Sequence, residues 1–254
     1  MRYLIKLAYD GSEFHGWQIQ PNAISVQESI ESCLSKIFSE KINVVGCGRT
    51  DTGVHASDFY AHFDGVEVKY DSHQLVYKLN KMLPNSISIK ALYPVHEDFH
   101  ARFSATSRKY HYHISKHKNP FKVNQVWFYN NSQQLDISKM KEAGAMLLDH
   151  DDFTSFAKLH TDAKTNICDV MEFNITETTD EIVLDIKANR FLRNMVRAVV
   201  GTIVEVGTGK LSIEDFKEII RLKDRKAAAF SAPASGLFLS EIEYPVELLK
   251  ALTV

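Results

Sequence analysis

Residues 42–63 read INVVGCGRTDTGVHASDFYAHF, and the fold is most readily inferred from them. INVVGC (42–47) and DFYAHF (58–63) are rich in β-branched and aromatic residues, which predicts two strands. The residues between them are polar and include two glycines, which is typical of a loop. Asp51 lies in that loop, between the two glycines. We therefore expect a strand–loop–strand unit that presents an aspartate.

The flanking segments complete one half of the fold. Apolar residues recur at helical spacing over 26–39, behind a Ser25/Glu28 capping box, and Asp71 can cap a second helix that ends near Leu83. RYLIKLAY (2–9) and SISIKAL (86–92) have the composition of strands. The resulting order, β-α-β-β-α-β, is that of a ferredoxin-like unit.

The second half repeats this order more loosely. Its segments predict strands and helices in turn, over 107–115 (strand), 136–148 (helix), 169–176 and 181–188 (strands), 191–206 (helix), a further helix after Ser212, and 236–242 (strand). We expect an α+β protein of two ferredoxin-like halves, 1–98 and 99–254, whose sheets join around a central cleft. The first half would carry the aspartate loop, and the second the basic stretches described below.

Composition excludes several classes of protein. The chain has 254 residues, 44% of them hydrophobic and 24% charged, with a net charge of −2; it is long enough to form its own core. No uncharged apolar run reaches membrane-spanning length, and the N-terminus lacks the apolar block of a secretory signal. Cys33, Cys47 and Cys168 form no C-x-x-C pair. We expect a reduced, cytoplasmic protein with no membrane partner.

Positive charge is concentrated in two stretches without Asp or Glu. Residues 99–135 contain six Lys or Arg residues, and residues 186–204 contain four. These ten cations leave a net charge of −12 on the rest of the chain, whose total is −2. Aromatic residues alternate with the cations in the first stretch, a combination that suits single-stranded or looped RNA. A solvated strand surface would show the same pattern, so the residues alone leave both interpretations open.

Taken by itself, the Asp51 loop also allows two interpretations. An aspartate in a glycine-containing loop beside Arg49 can act as a nucleophile or base, kept ionised by the guanidinium. The same residues can form a tight turn in which the aspartate bonds its own backbone. We expect Gly48 and Gly53 to allow backbone conformations, and a close approach of ligand, that other residues would obstruct.

GRTDTGVHA (48–56) closely resembles the active-site motif of the tRNA pseudouridine synthase A family. Four further segments resemble the motifs of that family in the same order along the chain: YDGSEFHGWQIQP (9–21), FHARFSATSRKYHY (99–112), FLRNMVRAVVG (191–201) and AFSAPASGLFL (229–239). Together they span almost the entire chain. The resemblance implies the two-lobed pseudouridine synthase fold, in agreement with the repeated element order.

The resemblance also implies a reaction and the residues that perform it. The family isomerises uridine to pseudouridine in the anticodon stem-loop of tRNA, at position 38, 39 or 40, on a uridine flipped out of its stack. By resemblance Asp51 is the catalytic carboxylate, which attacks the ribose or removes a ribose proton, and Arg197 pairs with it. Tyr110 stacks on the uracil and transfers a proton at C5. Without the motif, a tyrosine at every second position of a strand could equally be packed in the core, and this interpretation fits Tyr110 and Tyr112 alike.

Further expectations concern binding. By resemblance Arg49 holds the strand of the flipped nucleotide, while Leu237 and Leu239 line the pocket wall. Seven cations of the basic stretches are expected to contact tRNA: Arg102, Arg108, Lys109, Lys116, Lys118, Arg190 and Arg193. The reaction changes no redox state, so no cofactor is expected, and no metal is implied. The family is homodimeric, with tRNA bridging the subunits.

Two other functions fit parts of the sequence. Paired ferredoxin-like units also describe a non-catalytic RNA-binding protein with RNA recognition motifs, but the chain lacks the aromatic K/R-G-F/Y segment of that module. His111 and His113 could face the same side of a strand as metal ligands of a hydrolase. No carboxylate or cysteine follows them at useful spacing, so we expect phosphate contacts or solvent exposure instead.

Overall fold

The computed structural model describes residues 1–65, 70–159 and 164–249. Within those ranges the protein is α+β, as expected, with nine strands and six α-helices. The chain divides into two compact units, Met1–Ser107 together with Leu239–Val254, and Arg108–Phe238. Each unit is described separately.

The first unit contains a sheet with helices that follow its strands. Its elements are β1 (Arg2–Tyr9), α1 (Val26–Phe38), β2 (Val44–Gly46), β3 (His55–Asp64), α2 (Ser72–Met82), β4 (Ile87–Val95) and α6 (Val246–Leu249). The strands follow the order β4-β1-β3-β2, and each pair is antiparallel. A last strand, β9 (Leu237–Glu243), begins in the second unit and continues into the first, where it lies next to β3.

Capping residues start both long helices of this unit where the sequence predicts. The Ser25 side chain accepts a hydrogen bond from the Glu28 backbone N–H at 3.2 Å, and Asp71 accepts one from Gln74 at 2.8 Å. These contacts satisfy backbone donors that the first helical turn leaves without partners. In the core of this unit, the β3 residue Phe59 is fully buried and stacks on Trp17, with ring centroids 4.2 Å apart. The core therefore reaches the loop that precedes α1.

The second unit is built around a three-stranded antiparallel core. Its elements are β5 (Ser107–Ser115, entered from the first unit), β6 (Trp127–Phe128), α3 (Ile137–Ala145), β7 (Val170–Glu177), β8 (Glu181–Ala188), α4 (Met195–Gly207) and α5 (Ile213–Leu222). The strands follow the order β5-β8-β7, and β6 pairs parallel with β5. At the start of α5, Ser212 and Asp215 form a complete capping box.

Several expected boundaries are wrong. The helix expected over 191–206 begins only at Met195, because Asn194 has a φ of 66°, a left-handed conformation that a right-handed helix cannot include. The strand expected over 42–47 is limited to Val44–Gly46, and the next strand begins at His55 rather than at residue 58. No helix in the described part of the chain is long and apolar enough to cross a membrane.

Candidate active site

Asp51 lies in the loop that joins β2 to β3. The Val54 N–H donates to the Asp51 backbone oxygen at 3.1 Å, and Gly53 has a φ of 76°. These features make a tight turn directly after the aspartate, in which the glycine adopts a conformation that other residues rarely do. The aspartate is partly exposed.

The N-terminal loop, residues 10–17, holds this turn in place. The Trp17 N–H donates to the Thr50 oxygen at 3.2 Å, and the Gly53 N–H donates to the Phe14 oxygen at 3.3 Å. Gly16 makes the approach possible: its φ is 87°, and a Cβ at this position would lie 2.3 Å from the Thr50 oxygen. The sequence associates this segment with the family but gives no reason for it; the structure shows that it braces the aspartate loop.

Two buried side-chain contacts complete the brace. The Tyr9 and Thr50 hydroxyls lie 2.8 Å apart, and the Gly11 N–H donates to His55 Nδ1 at 3.0 Å. His55 is only 1% exposed. Because these contacts lie on both sides of Asp51 in the sequence, they fix both ends of its loop.

The glycines of the loop differ in their roles. Gly53 needs its positive φ, as expected. The expectation that Gly48 needs a special backbone conformation is wrong, since its φ is ordinary and a Cβ added there would have no described atom within 4 Å. The space beside Gly48 is open, and Arg49, which follows it, is exposed.

The structure separates Tyr110 from Tyr112. Tyr112 is fully buried and donates from its hydroxyl to the Pro233 oxygen at 2.7 Å. Burial raises the pKa of that hydroxyl strongly. Tyr110 is partly exposed, and its ring meets Phe191 edge to face, with centroids 5.1 Å apart. Of the two tyrosines, only Tyr110 is accessible to a ligand.

Arg197 lies on α4, where eleven of the thirteen residues are buried. It is one of the two that are not, and its Nε donates to the Ala232 oxygen at 2.6 Å. Both Arg197 and Tyr110 belong to the second unit, whereas Arg49 and Asp51 belong to the first. Leu237 and Leu239 in β9 are 5% and 1% exposed, so they are core positions of that strand.

Two of the expected tRNA contacts form ion pairs with residues of β7. Lys109 Nζ lies 3.1 Å from Glu172, and Lys116 Nζ lies 2.6 Å from Glu177. The hydrogen bond from Lys109 holds the pKa of the Glu172 carboxyl below its usual value. A stretch without acidic residues in the sequence is therefore not free of them in space, because the neighbouring strands supply carboxylates.

The other five expected contacts differ in exposure. Arg102, Lys118 and Arg193 are exposed, while Arg108 and Arg190 are partly buried. Arg108 donates to the Asn189 oxygen at 2.8 Å. The accessible cations among the expected set are therefore the first three.

The two histidines of β5 lie beside carboxylates of β8. His113 Nδ1 is 3.2 Å from Glu181, and His111 Nε2 is 3.6 Å from Asp185. Their ring centroids are 6.4 Å apart. No group of three or more potential metal ligands occurs among the described residues.

Comparisons with known proteins give consistent results. The family model described as tRNA pseudouridine synthase matches residues 118–245. The tRNA pseudouridine synthase A of Bacteroides fragilis is 49% identical over 250 residues, which cover 98% of this chain and 98% of that protein. The protein of the same name from Parabacteroides distasonis is 48% identical over 247 residues, with 97% of each chain covered. The one from Legionella pneumophila (strain Lens) is 39% identical over 250 residues, 97% of this chain and 94% of that protein.

Proposed function

The chain belongs to the tRNA pseudouridine synthase A family, a family of isomerases, and on that premise we propose that it converts uridine to pseudouridine in the anticodon stem-loop of tRNA, at position 38, 39 or 40. The observation that carries the proposal is the accessible Asp51, held in a braced loop within a chain that matches the family over nearly its whole length. The reaction breaks the bond between uracil N1 and the ribose. It then joins C5 to the same ribose carbon, and a proton leaves C5 while N1 gains one.

We assign the covalent or proton-abstracting step to Asp51. Asp51 is partly exposed, whereas the backbone around it is fixed by hydrogen bonds to residues 10–17. A rigid loop with an accessible carboxylate favours chemistry because the reactive group loses little freedom when substrate binds. Exposed Arg49, two residues earlier, is assigned to the strand that carries the flipped nucleotide.

Arg197 is assigned to the catalytic carboxylate. A carboxylate that substrate covers loses water, and desolvation favours its protonated, inactive form. A fixed guanidinium opposes that change, and Arg197 has its Nε already held by a backbone oxygen.

Tyr110 is assigned to the uracil. Its ring is partly exposed, and its edge-to-face contact with Phe191 holds it in a fixed orientation. A fixed ring can stack on the flipped base, and its hydroxyl can exchange a proton at C5. Leu237 and Leu239 are assigned to the wall of the pocket by the family resemblance alone, since both are buried core positions of β9.

The same proposal covers the fold and the binding partners. We infer two ferredoxin-like halves; the β4-β1-β3-β2 order of the first unit supports this for the first half. tRNA would be held by the basic stretches, with the exposed Arg102, Lys118 and Arg193 the best placed to reach phosphates. A homodimer in the cytoplasm is part of the proposal, and the three buried cysteine thiols are compatible with a reducing compartment.

Incubation with unmodified tRNA tests the proposal. Chemical labelling of pseudouridine, read by primer extension, should show new modification at one or more of positions 38, 39 and 40. The matched control is the same tRNA with cytidine at those positions, which should remain unlabelled. Labelling only outside the anticodon stem-loop, or none with several tRNAs, would contradict the proposal.

A further inference from the structure

Residues 228–233, which we call the clamp segment, run alongside α4 in the second unit. Ala232 lies at the contact with Arg197: its N–H donates to the Arg197 backbone oxygen at 2.9 Å, and its own oxygen accepts from Arg197 Nε at 2.6 Å. This contact uses one of the five N–H groups of the guanidinium. The direction of the remaining ones is therefore set by the position of the Ala232 backbone.

Arg225 fixes the shape of the clamp segment. Its guanidinium donates to the Ala228 oxygen at 3.3 Å, to the Ala229 oxygen at 3.1 Å and to Ser231 Oγ at 3.0 Å. None of these three acceptors is a carboxylate. Arg225, which is half-buried, therefore donates all three bonds to one loop. The sequence of that loop, AAFSAP, contains few side chains that could order it.

Ser231 connects the clamp segment to the start of α4. Its hydroxyl also accepts from Asn194 Nδ2 at 2.7 Å. Asn194 has a φ of 66°, a conformation that costs a non-glycine residue free energy and persists where its surroundings impose it. The network Arg225–Ser231–Asn194 therefore links the clamp segment to the residue that precedes the helix of Arg197.

Close backbone contact holds the clamp segment against the middle of α4. A Cβ on Gly201 would lie 2.0 Å from the Phe230 oxygen, so the segment touches the helix at this glycine. The Ala229 N–H donates to Thr202 Oγ1 at 3.2 Å one residue further on. The segment is attached at both sides of Ala232, since the Pro233 oxygen accepts from Tyr112 at 2.7 Å.

We propose that Arg225 and Ser231 are positioning residues that aim the guanidinium of Arg197 through the clamp segment. The proposal rests on the role assigned to Arg197 above. Without the three bonds from Arg225, the alanine-rich segment keeps only its contacts with α4 and Tyr112, so Ala232 restricts the position of Arg197 Nε less tightly. A small displacement of a catalytic group lowers the rate strongly and leaves tRNA affinity largely unchanged.

The test compares Arg225→Met with wild type. Single-turnover conversion with saturating enzyme should slow by about 10-fold or more, while the Kd for tRNA changes less than about 2-fold. Arg225→Lys, which keeps a donor for the same oxygens, should recover part of the rate. Arg221→Met removes the same charge from an exposed pair with Glu218, and it should leave both quantities unchanged.

A double-mutant cycle separates positioning from general loss of structure. In an Arg197→Lys background, Arg225→Met should cost little further rate, because the group that it aims has already been replaced. An equal loss in both backgrounds would overturn the positioning role. If Arg197→Lys itself converts uridine at the wild-type rate, the role assigned to Arg197 fails instead, so the two failures are distinguishable.

Hydrogen exchange supplies a readout that does not depend on turnover. In Arg225→Met, the amides of residues 228–232 should exchange faster, while those of β5 and β8 keep their protection. Gly201→Ala, which drives Phe230 away from the helix, should reproduce both the faster exchange and the slower conversion. Unchanged exchange at the clamp segment in both variants would refute the proposal even if the rates fell.

Discussion

Gly16→Ala is expected to disturb the Asp51 loop from a residue that is distant from it in sequence. The new Cβ would lie 2.3 Å from the Thr50 oxygen, whereas ordinary contacts begin at 3.4 Å. Restoring such a contact requires the two loops to separate by about 1 Å. Alanine must also adopt the φ of 87° that Gly16 has, which is strained for any residue with a side chain.

Both effects have measurable magnitudes. Backbone strain of this kind costs about 1–3 kcal/mol. For a protein of this size each kcal/mol lowers the Tm by about 2–4 °C, so a fall of roughly 2–12 °C is expected. A shift of about 1 Å at the catalytic aspartate can slow the chemical step by up to ~10²-fold.

Thermal unfolding and single-turnover conversion of tRNA measure the two effects separately. Gly48→Ala is the control for stability, because its Cβ has no described atom within 4 Å and its φ is ordinary; its Tm should match that of wild type. If Gly16→Ala unfolds at the wild-type temperature and converts uridine at the wild-type rate, the N-terminal loop does not brace Asp51.

Three further outcomes are expected. Tyr110→Phe should slow single-turnover conversion by ~10²-fold or more if the hydroxyl transfers a proton, and wild-type rates would leave only stacking. Burial, followed by the charge of Arg2, lowers the pKa of His62 to about 4. As the pH falls, His62 of the unfolded chain is protonated before His62 of the folded protein. The free energy of unfolding should therefore fall by at most about 3 kcal/mol from pH 6.5 towards pH 4. Denaturant titrations of His62→Gln should lack that part of the decline, and equal declines would contradict it. Lys118→Gln should reduce the salt dependence of tRNA binding more than Lys116→Gln, whose ammonium Glu177 already holds; the reverse order in binding titrations would contradict this.

The local pattern predicted the elements well where one period dominates. The strands 2–9, 107–115 and 181–188 have the expected bounds, and the Ser25 and Asp71 caps start their helices. The predicted start of α4 is wrong because the apolar pattern extends over the residues just before Met195, which include the left-handed Asn194. Periodicity does not reveal such a backbone conformation.

The environment of the site depends on contacts between residues that are distant in sequence, and the local sequence pattern does not predict such contacts. The bond between Trp17 and Thr50 joins residues far apart along the chain, as does the contact of Arg197 with Ala232. The distribution of charge along the sequence misleads about the charge around a residue in the fold for a related reason. Lys109 is in a stretch without acids, yet Glu172 of β7 reaches it across the sheet.

The central claim is that Asp51 performs the chemistry, and Asp51→Asn tests it most directly. The amide is almost isosteric, so the hydrogen bonds from Trp17 and Gly53 that fix the loop backbone should remain. The substitution removes an ionised oxygen that an amide cannot replace as nucleophile or base. With saturating enzyme and tRNA affinity measured at fixed salt, the variant should bind tRNA almost normally and form no detectable pseudouridine. Substantial conversion by Asp51→Asn would contradict the account.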